Sequence, residues 1–197
     1  MSAPRIIGGK HRGRPLFVPE GHEVRPTASR AREGLFNILL HAGWREDGGS
    51  PLAGGRVLDA FAGAGGLGIE ALSRGAAHAT FMDTAPDAVR IIGANLRSVG
   101  ETANARVLRA DGTRPPTAMQ DGACSVVLLD PPYRSGLGGP ALTALAAAGW
   151  MAPGAACSLE VAYNEDVEPP AGFAALDERR YGKAKFLFFR YGPAADA

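Results

Sequence analysis

From about residue 56 onward, short apolar runs alternate with stretches of helical periodicity. Segments 56–61, 79–83, 105–110, 124–130 and 155–161 read as strands. Between them, 66–74, 86–98 and 137–149 read as helices, the second opened by a proline where a missing N–H costs nothing. Segments 173–181 and 184–191 read as a closing antiparallel hairpin. Strand and helix in alternation predict an α/β fold with a doubly wound, mostly parallel sheet.

The first 45 residues follow another pattern. Segments 5–10 and 12–18 predict two short strands around the Gly8-Gly9 turn. Thr27 or Ser29 is expected to cap a helix in which Leu35, Phe36, Ile38 and Leu39 form an apolar side. A loop rich in glycine and proline, GWREDGGSPLAGG, follows. It marks the expected boundary between a hairpin-and-helix element, residues 1–45, and a catalytic domain, residues 46–197.

Composition narrows the class. At 197 residues, 46% hydrophobic and 21% charged, the chain suits one domain with a small appendage. No apolar run approaches the roughly 20 residues of a membrane helix, so no membrane association is expected. The start, MSAPRIIGGKHRGR, lacks the apolar centre of a secretory signal. Cys124 and Cys157 lie in apolar, strand-like segments and are expected as buried free thiols, which suits a reducing cytoplasm. The four histidines are scattered without metal-ligand spacing, so no metal is expected.

Charge adds a direction. Residues 1–45 carry eight basic and three acidic side chains, a net +5 in a chain of net +1. A basic arm on a mildly acidic body predicts a polyanionic partner, with Arg5, Lys10, Arg12, Arg14, Arg25, Arg30 and Arg32 as candidate contacts to it.

The chemistry begins at VLDAFAGAGGLGIEAL, which places Gly63-x-Gly65-x-x-Gly68 between a strand and a helix. Such glycines let the backbone turn sharply and approach a bound group closely. The pattern fits a nicotinamide or flavin dinucleotide, S-adenosylmethionine, or a purely structural turn. Asp59, just before the loop, tilts the balance. It would repel a pyrophosphate, whereas the sulfonium and ammonium of S-adenosylmethionine are cations that complement it. Asp83 and Asp111 end the next two strands, where ligands of open α/β sheets bind. Asp83 is suited to accept from the ribose hydroxyls and Asp111 from the adenine amino group.

The run VVLLDPPY ends a core strand in Asp130-Pro131-Pro132-Tyr133. A base's exocyclic amine is a weak nucleophile because its lone pair is delocalised into the ring. Asp130 and the Pro131 carbonyl can accept its N–H groups and aim that lone pair, while Tyr133 stacks on the base. Proline fixes φ and brings no competing donor. An ordinary strand-to-loop turn is the plain alternative reading of the tetrapeptide.

RIIGGKHRGRPL, RPTASRAREGLFNIL, LDAFAGAGGLGIEALSRGA, DPPY and YGKAKFLFFR, in this order, resemble the RsmD family of 16S rRNA guanine-N2 methyltransferases over nearly the whole chain. The resemblance implies a Rossmann-like class I methyltransferase sheet of seven strands, mostly parallel, with an antiparallel C-terminal hairpin. It implies S-adenosylmethionine as cofactor and one guanine of 16S rRNA, in the small ribosomal subunit, as target. By motif, Asp59, Phe61, Gly63 and Gly65 belong to the donor site, Asp83 binds ribose, and Asp130, Pro131 and Tyr133 hold the base. Relatives often carry serine second and alanine fourth in the glycine loop, and Glu at the ribose position. The rival readings are a DNA adenine-N6 methyltransferase, an NAD-binding oxidoreductase and an RNA-binding module without activity.

Overall fold

Buried β-branched and aromatic runs pair as parallel strands only when the intervening helices can cover both sheet faces. The computed structural model, which describes residues 3–18, 26–45, 48–120 and 122–192, meets that requirement. The elements are α1 (Pro26–His41), β1 (Arg56–Asp59), α2 (Gly66–Ser73), β2 (His78–Asp83), α3 (Pro86–Val99) and β3 (Ala105–Arg109). They continue with β4 (Cys124–Leu129), α4 (Gly138–Ala147), β5 (Met151–Ala162), β6 (Phe173–Tyr181) and β7 (Ala184–Tyr191). The seven strands lie in the order β3-β2-β1-β4-β5-β7-β6. The first five are parallel, and β7 runs antiparallel to both β5 and β6. The expected fold class is the one observed.

Alternation along the central strands splits the core in two. Leu58, Val127, Leu129, Cys157 and Leu159 pack against Leu142 and Leu145 of α4. Val57, Val126, Leu128, Phe186 and Phe188 face the other way, against Leu35, Phe36 and Leu39 of α1. Cys124 and Cys157 are buried free thiols, as expected.

The N-terminal segment departs from two neat strands. One bridge, Arg5 to Pro15, and bonds from Ile6 N to Arg14 O and from Leu16 N to Pro4 O hold its arms together. A 3-10 turn, Gly9–His11, closes it. Its remaining donors bond α2 and α3: Ile7 N and Gly8 N reach the Glu70 carboxylate at 2.8 Å each, and Phe17 N reaches Asn95 Oδ1 at 2.7 Å. Ile6 and Leu16 share an apolar cluster with α2, β2 and α3.

Helix α1 begins at Pro26, so Thr27 and Ser29 lie inside it rather than capping it. A proline pre-organised for the first helical position explains the earlier start. Strand β5 starts at Met151, earlier than the apolar pattern predicts, and an irregularity in its pairing with β4 accommodates the extra residues.

Candidate active site

β1 and β4 are neighbours, yet the chain proceeds from β1 toward β2 and from β4 toward β5. Such a reversal of strand order opens a crevice beyond the strands' C-terminal ends. A cleft of about 1020 Å³ lies there. Asp59 and Phe61 line it at the end of β1, Ala62, Ala64 and Gly66 from the glycine loop, and Asp130 and Tyr133 after β4.

The loop's shape follows from its glycines. Gly63 and Gly65 have φ of 53° and 81°, the left-handed region that side chains disfavour. Gly68 serves packing instead: a Cβ there would stand 2.2 Å from the Phe81 ring, so α2 could not settle on β2.

Asp59 is 1% exposed. Its Oδ2 accepts the Gly68 N–H at 2.9 Å, while its Oδ1 has no partner among the described residues. Burial raises its pKa to about 7, against the Gly68 bond and helped by the charge of Asp83. A buried oxygen without a donor, beside a cleft, suits a cationic ligand that brings its own N–H groups.

Asp130 borders the cleft with its side chain open to it. The protein packed around it raises its pKa well above the usual carboxylate range, as do the charges of Glu160 and Asp59. Glu160 is the acid that the sequence reading passed over. It sits in β5, lines the same cleft, and accepts the Tyr133 hydroxyl at 2.6 Å. Burial raises its pKa too, with the Tyr133 bond opposing the shift. The available signal was a lone acid within the apolar run Ser158-Leu159-Glu160-Val161-Ala162.

After Pro132 and Tyr133, Arg134 adopts φ 58°, unusual for a residue with a side chain. Its N–H donates to Glu165 Oε2 at 2.9 Å, tying this loop to the end of β5.

Asp83 and Asp111 stand on the same strand-end edge but outside the lining of this cleft. Asp83 accepts Gly63 N at 2.8 Å and Ala85 N at 2.9 Å, fixing the glycine loop and the approach to α3. Asp111 is held below the usual carboxylate range by the Thr113 hydroxyl, then the Thr113 N–H. Each Asp83 oxygen keeps a second lone pair, and Asp111, whose Oδ1 takes both Thr113 donors, keeps Oδ2, so these bonds leave acceptor capacity.

The basic candidates divide. Arg32 lines the cleft and donates to Arg5 O at 2.8 Å. Burial lowers its pKa. Arg5 and Arg30 are exposed. Lys10, Arg12 and Arg14 gather around the 3-10 turn, beside the C-terminal ends of α2 and α3. There Lys10 pairs with Glu101 at 2.7 Å and Arg14 donates to Ser98 O at 3.1 Å. Arg25 lies outside the described residues. In the closing hairpin, Lys183 borders the cleft, whereas Lys185 is buried against Asp166 at 2.6 Å. Among the described residues no group of acids, histidines and cysteines could hold a metal ion, and no helix is long and apolar enough to cross a membrane.

Five parallel strands, an antiparallel closing hairpin and a glycine loop after β1 define a class I methyltransferase fold. The chain belongs to the RsmD family: the family model described as Conserved hypothetical protein 95 matches residues 4–190. It is 33% identical to Ribosomal RNA small subunit methyltransferase D of Escherichia coli K12, over 94% of this chain and 89% of that protein. It is 30% identical to the protein of that name from Haemophilus influenzae, over 94% and 93% of the two chains. The solved structure of Escherichia coli yhhF superposes with a TM-score of 0.78 at 33% identity, covering 96% of this chain and 98% of that one. The fold is shared at 21% identity, with a TM-score of 0.65, by the Thermus thermophilus 16S rRNA N2 G1207 methyltransferase RsmC, solved in complex with AdoMet and guanosine. That match covers 96% of this chain and 49% of that one.

Proposed function

We propose that the chain transfers the methyl group of S-adenosylmethionine to the 2-amino group of a guanine in 16S rRNA, within the small ribosomal subunit. One observation carries this reading: the unpaired Oδ1 of buried Asp59 and the carboxylate of Asp130 border a single cleft from adjacent strands. When bound, the cofactor supplies an electrophilic methyl group on a sulfonium. Its ammonium complements Asp59, a fit that the partnerless oxygen supports. Asp83 takes the ribose hydroxyls and Asp111 the adenine amino group, while Phe61 walls the site and the turns at Gly63 and Gly65 shape the loop beside it.

The residues after β4 work on the other substrate. With the guanine flipped out of its stack, Asp130 and the Pro131 carbonyl accept the amine's N–H groups. They hold its lone pair on the line of transfer and offset the charge that grows on nitrogen. Tyr133 stacks on the base, a contact worth roughly 1–3 kcal/mol. The methylated ammonium is strongly acidic and sheds its proton afterwards, so no strong base is required. Residues 1–45 act as the RNA-binding element beside the catalytic domain, with their exposed cations on phosphates. The names of the relatives support an rRNA substrate, which would place the enzyme in the cytoplasm.

The test uses small subunits from a strain lacking the protein, incubated with it and labelled donor, then digested and analysed as nucleosides by mass spectrometry. N2-methylguanosine at one position is expected. Methyl on adenine, or calorimetry showing tight NAD binding without S-adenosylmethionine binding, would overturn the reading.

A further inference from the structure

β4 and β5 pair in parallel, with Leu129 opposite Leu159. One position further, Asp130 and Glu160 therefore stand side by side on adjacent backbones about 5 Å apart. Leu129 and Leu159 point into the core, so both acids point the other way, and both line the cleft. Close by is Asp59, 1% exposed, whose Oδ1 lacks a partner and marks the cleft as a place for hydrogen-bond donors.

An ionised carboxylate only accepts hydrogen bonds. Two in register present a paired acceptor edge. Guanine offers the matching edge, with its N1–H donor beside the 2-amino donors. Adenine sets a bare N1 lone pair beside its amine, which a second carboxylate repels. The Tyr133 hydroxyl donates to Glu160 Oε1 at 2.6 Å, favouring the ionised, acceptor form, while Oε2 takes no hydrogen bond among the described residues. Resting on the methyltransferase reading above, we propose that Glu160 is a specificity-determining residue that accepts the N1–H of the target guanine, next to the amine held by Asp130. Tyr133 then does two jobs: its ring stacks on the base, and its hydroxyl orients Glu160.

The test compares guanosine with 2-aminopurine riboside, which keeps the 2-amino group but has no hydrogen on N1. Binding is measured at pH 8 to the full chain saturated with S-adenosylhomocysteine. Wild type should favour guanosine by about 10–100-fold, the effect of one hydrogen bond to a charged acceptor. Glu160→Gln can turn its amide donor to the bare N1, so its preference should vanish or reverse while S-adenosylhomocysteine binding is unchanged. Tyr133→Phe keeps the stacking ring but loses the hydroxyl that orients Glu160, so it should reduce the preference for guanosine without abolishing it. A wild type that binds guanosine without discriminating, or a Glu160→Gln variant that keeps the wild-type ratio, overturns the assignment and leaves the methyltransferase reading standing. So does a Tyr133→Phe variant that loses the ratio as completely as Glu160→Gln. Failure of wild type to bind guanosine at all also overturns the assignment, while the methyltransferase reading is decided by the small-subunit assay above.

Discussion

Beneath the N-terminal segment, Glu70 of α2 and Glu101 just after α3 are 1% and 3% exposed. Glu70 accepts Ile7 N, Gly8 N and Arg74 Nε. Glu101 takes Lys10, His11 and Asn104. Burial alone would raise Glu101, but hydrogen bonds from Asn104, His11 and Lys10 outweigh it and hold its pKa at about 2. At the cleft edge Asp59 is just as buried, yet one of its oxygens has no donor and its pKa rises to about 7. Asp130 and Glu160 are raised beside each other. The residue types are alike; the supply of donors differs. Acids that fasten the N-terminal segment are satisfied by the fold, and acids facing the cleft wait for a ligand to satisfy them.

The largest effect is expected at the functional end, in the cleft. Asp130→Ala should cut methyl transfer by about 10³-fold, the scale of losing an electrostatic group at the reacting atom. RNA retention in a filter assay should be unchanged; near-normal turnover would remove Asp130 from the chemistry. Next comes the structural end. Glu70→Ala strands two backbone N–H groups and the Arg74 guanidinium, so urea unfolding should show a loss of about 3–5 kcal/mol. A loss under about 1 kcal/mol would mean the N-terminal segment is held by its apolar contacts alone.

Asp59 sharpens the contrast through pH. Its folded pKa lies above the unfolded value, so the folded state holds the extra proton. Its contribution is therefore most favourable below the unfolded value near 4 and declines as pH rises to about 7. Asp59→Asn should accordingly stabilise the ligand-free chain at pH 8 by roughly 1–3 kcal/mol while abolishing cofactor binding in calorimetry. Glu101 has the opposite sign: its stabilisation is present above about 4.5 and lost as pH falls toward 2. A Glu101→Gln variant should lose most of its stability deficit relative to wild type at pH 2–3.

The smallest effect concerns RNA. If about five cations of residues 1–45 engage phosphates, log K should fall with log salt at a slope of roughly −3 to −4. Lys183→Ala should make that slope less steep by about one if this cleft-side lysine meets a phosphate. A wild-type slope near zero would discredit the basic arm.

The sheet was readable because its strands are contiguous. Segments 173–181 and 184–191 match β6 and β7 residue for residue, since each strand's signal lies within its own residues. The carboxylates of Asp59 and Asp130 were readable for the same reason: each ends a strand, and strand ends of a parallel sheet share one edge. Glu160 was not. Nothing local tells an acid inside an apolar strand that its neighbour across the sheet is the position after β4; that depends on the β4–β5 register.

The order of elements, the glycine loop and the acid-proline corner were thus determined by the sequence itself, because periodicity and turn chemistry act over a few residues. Tertiary structure alone decided which charges are spent. Lys10 and Lys185 look alike in sequence to Lys183, yet the first two are paired with Glu101 and Asp166, and Lys183 borders the cleft. Whether a buried acid finds its donors is settled by residues dozens of positions away, and only the folded packing brings those together.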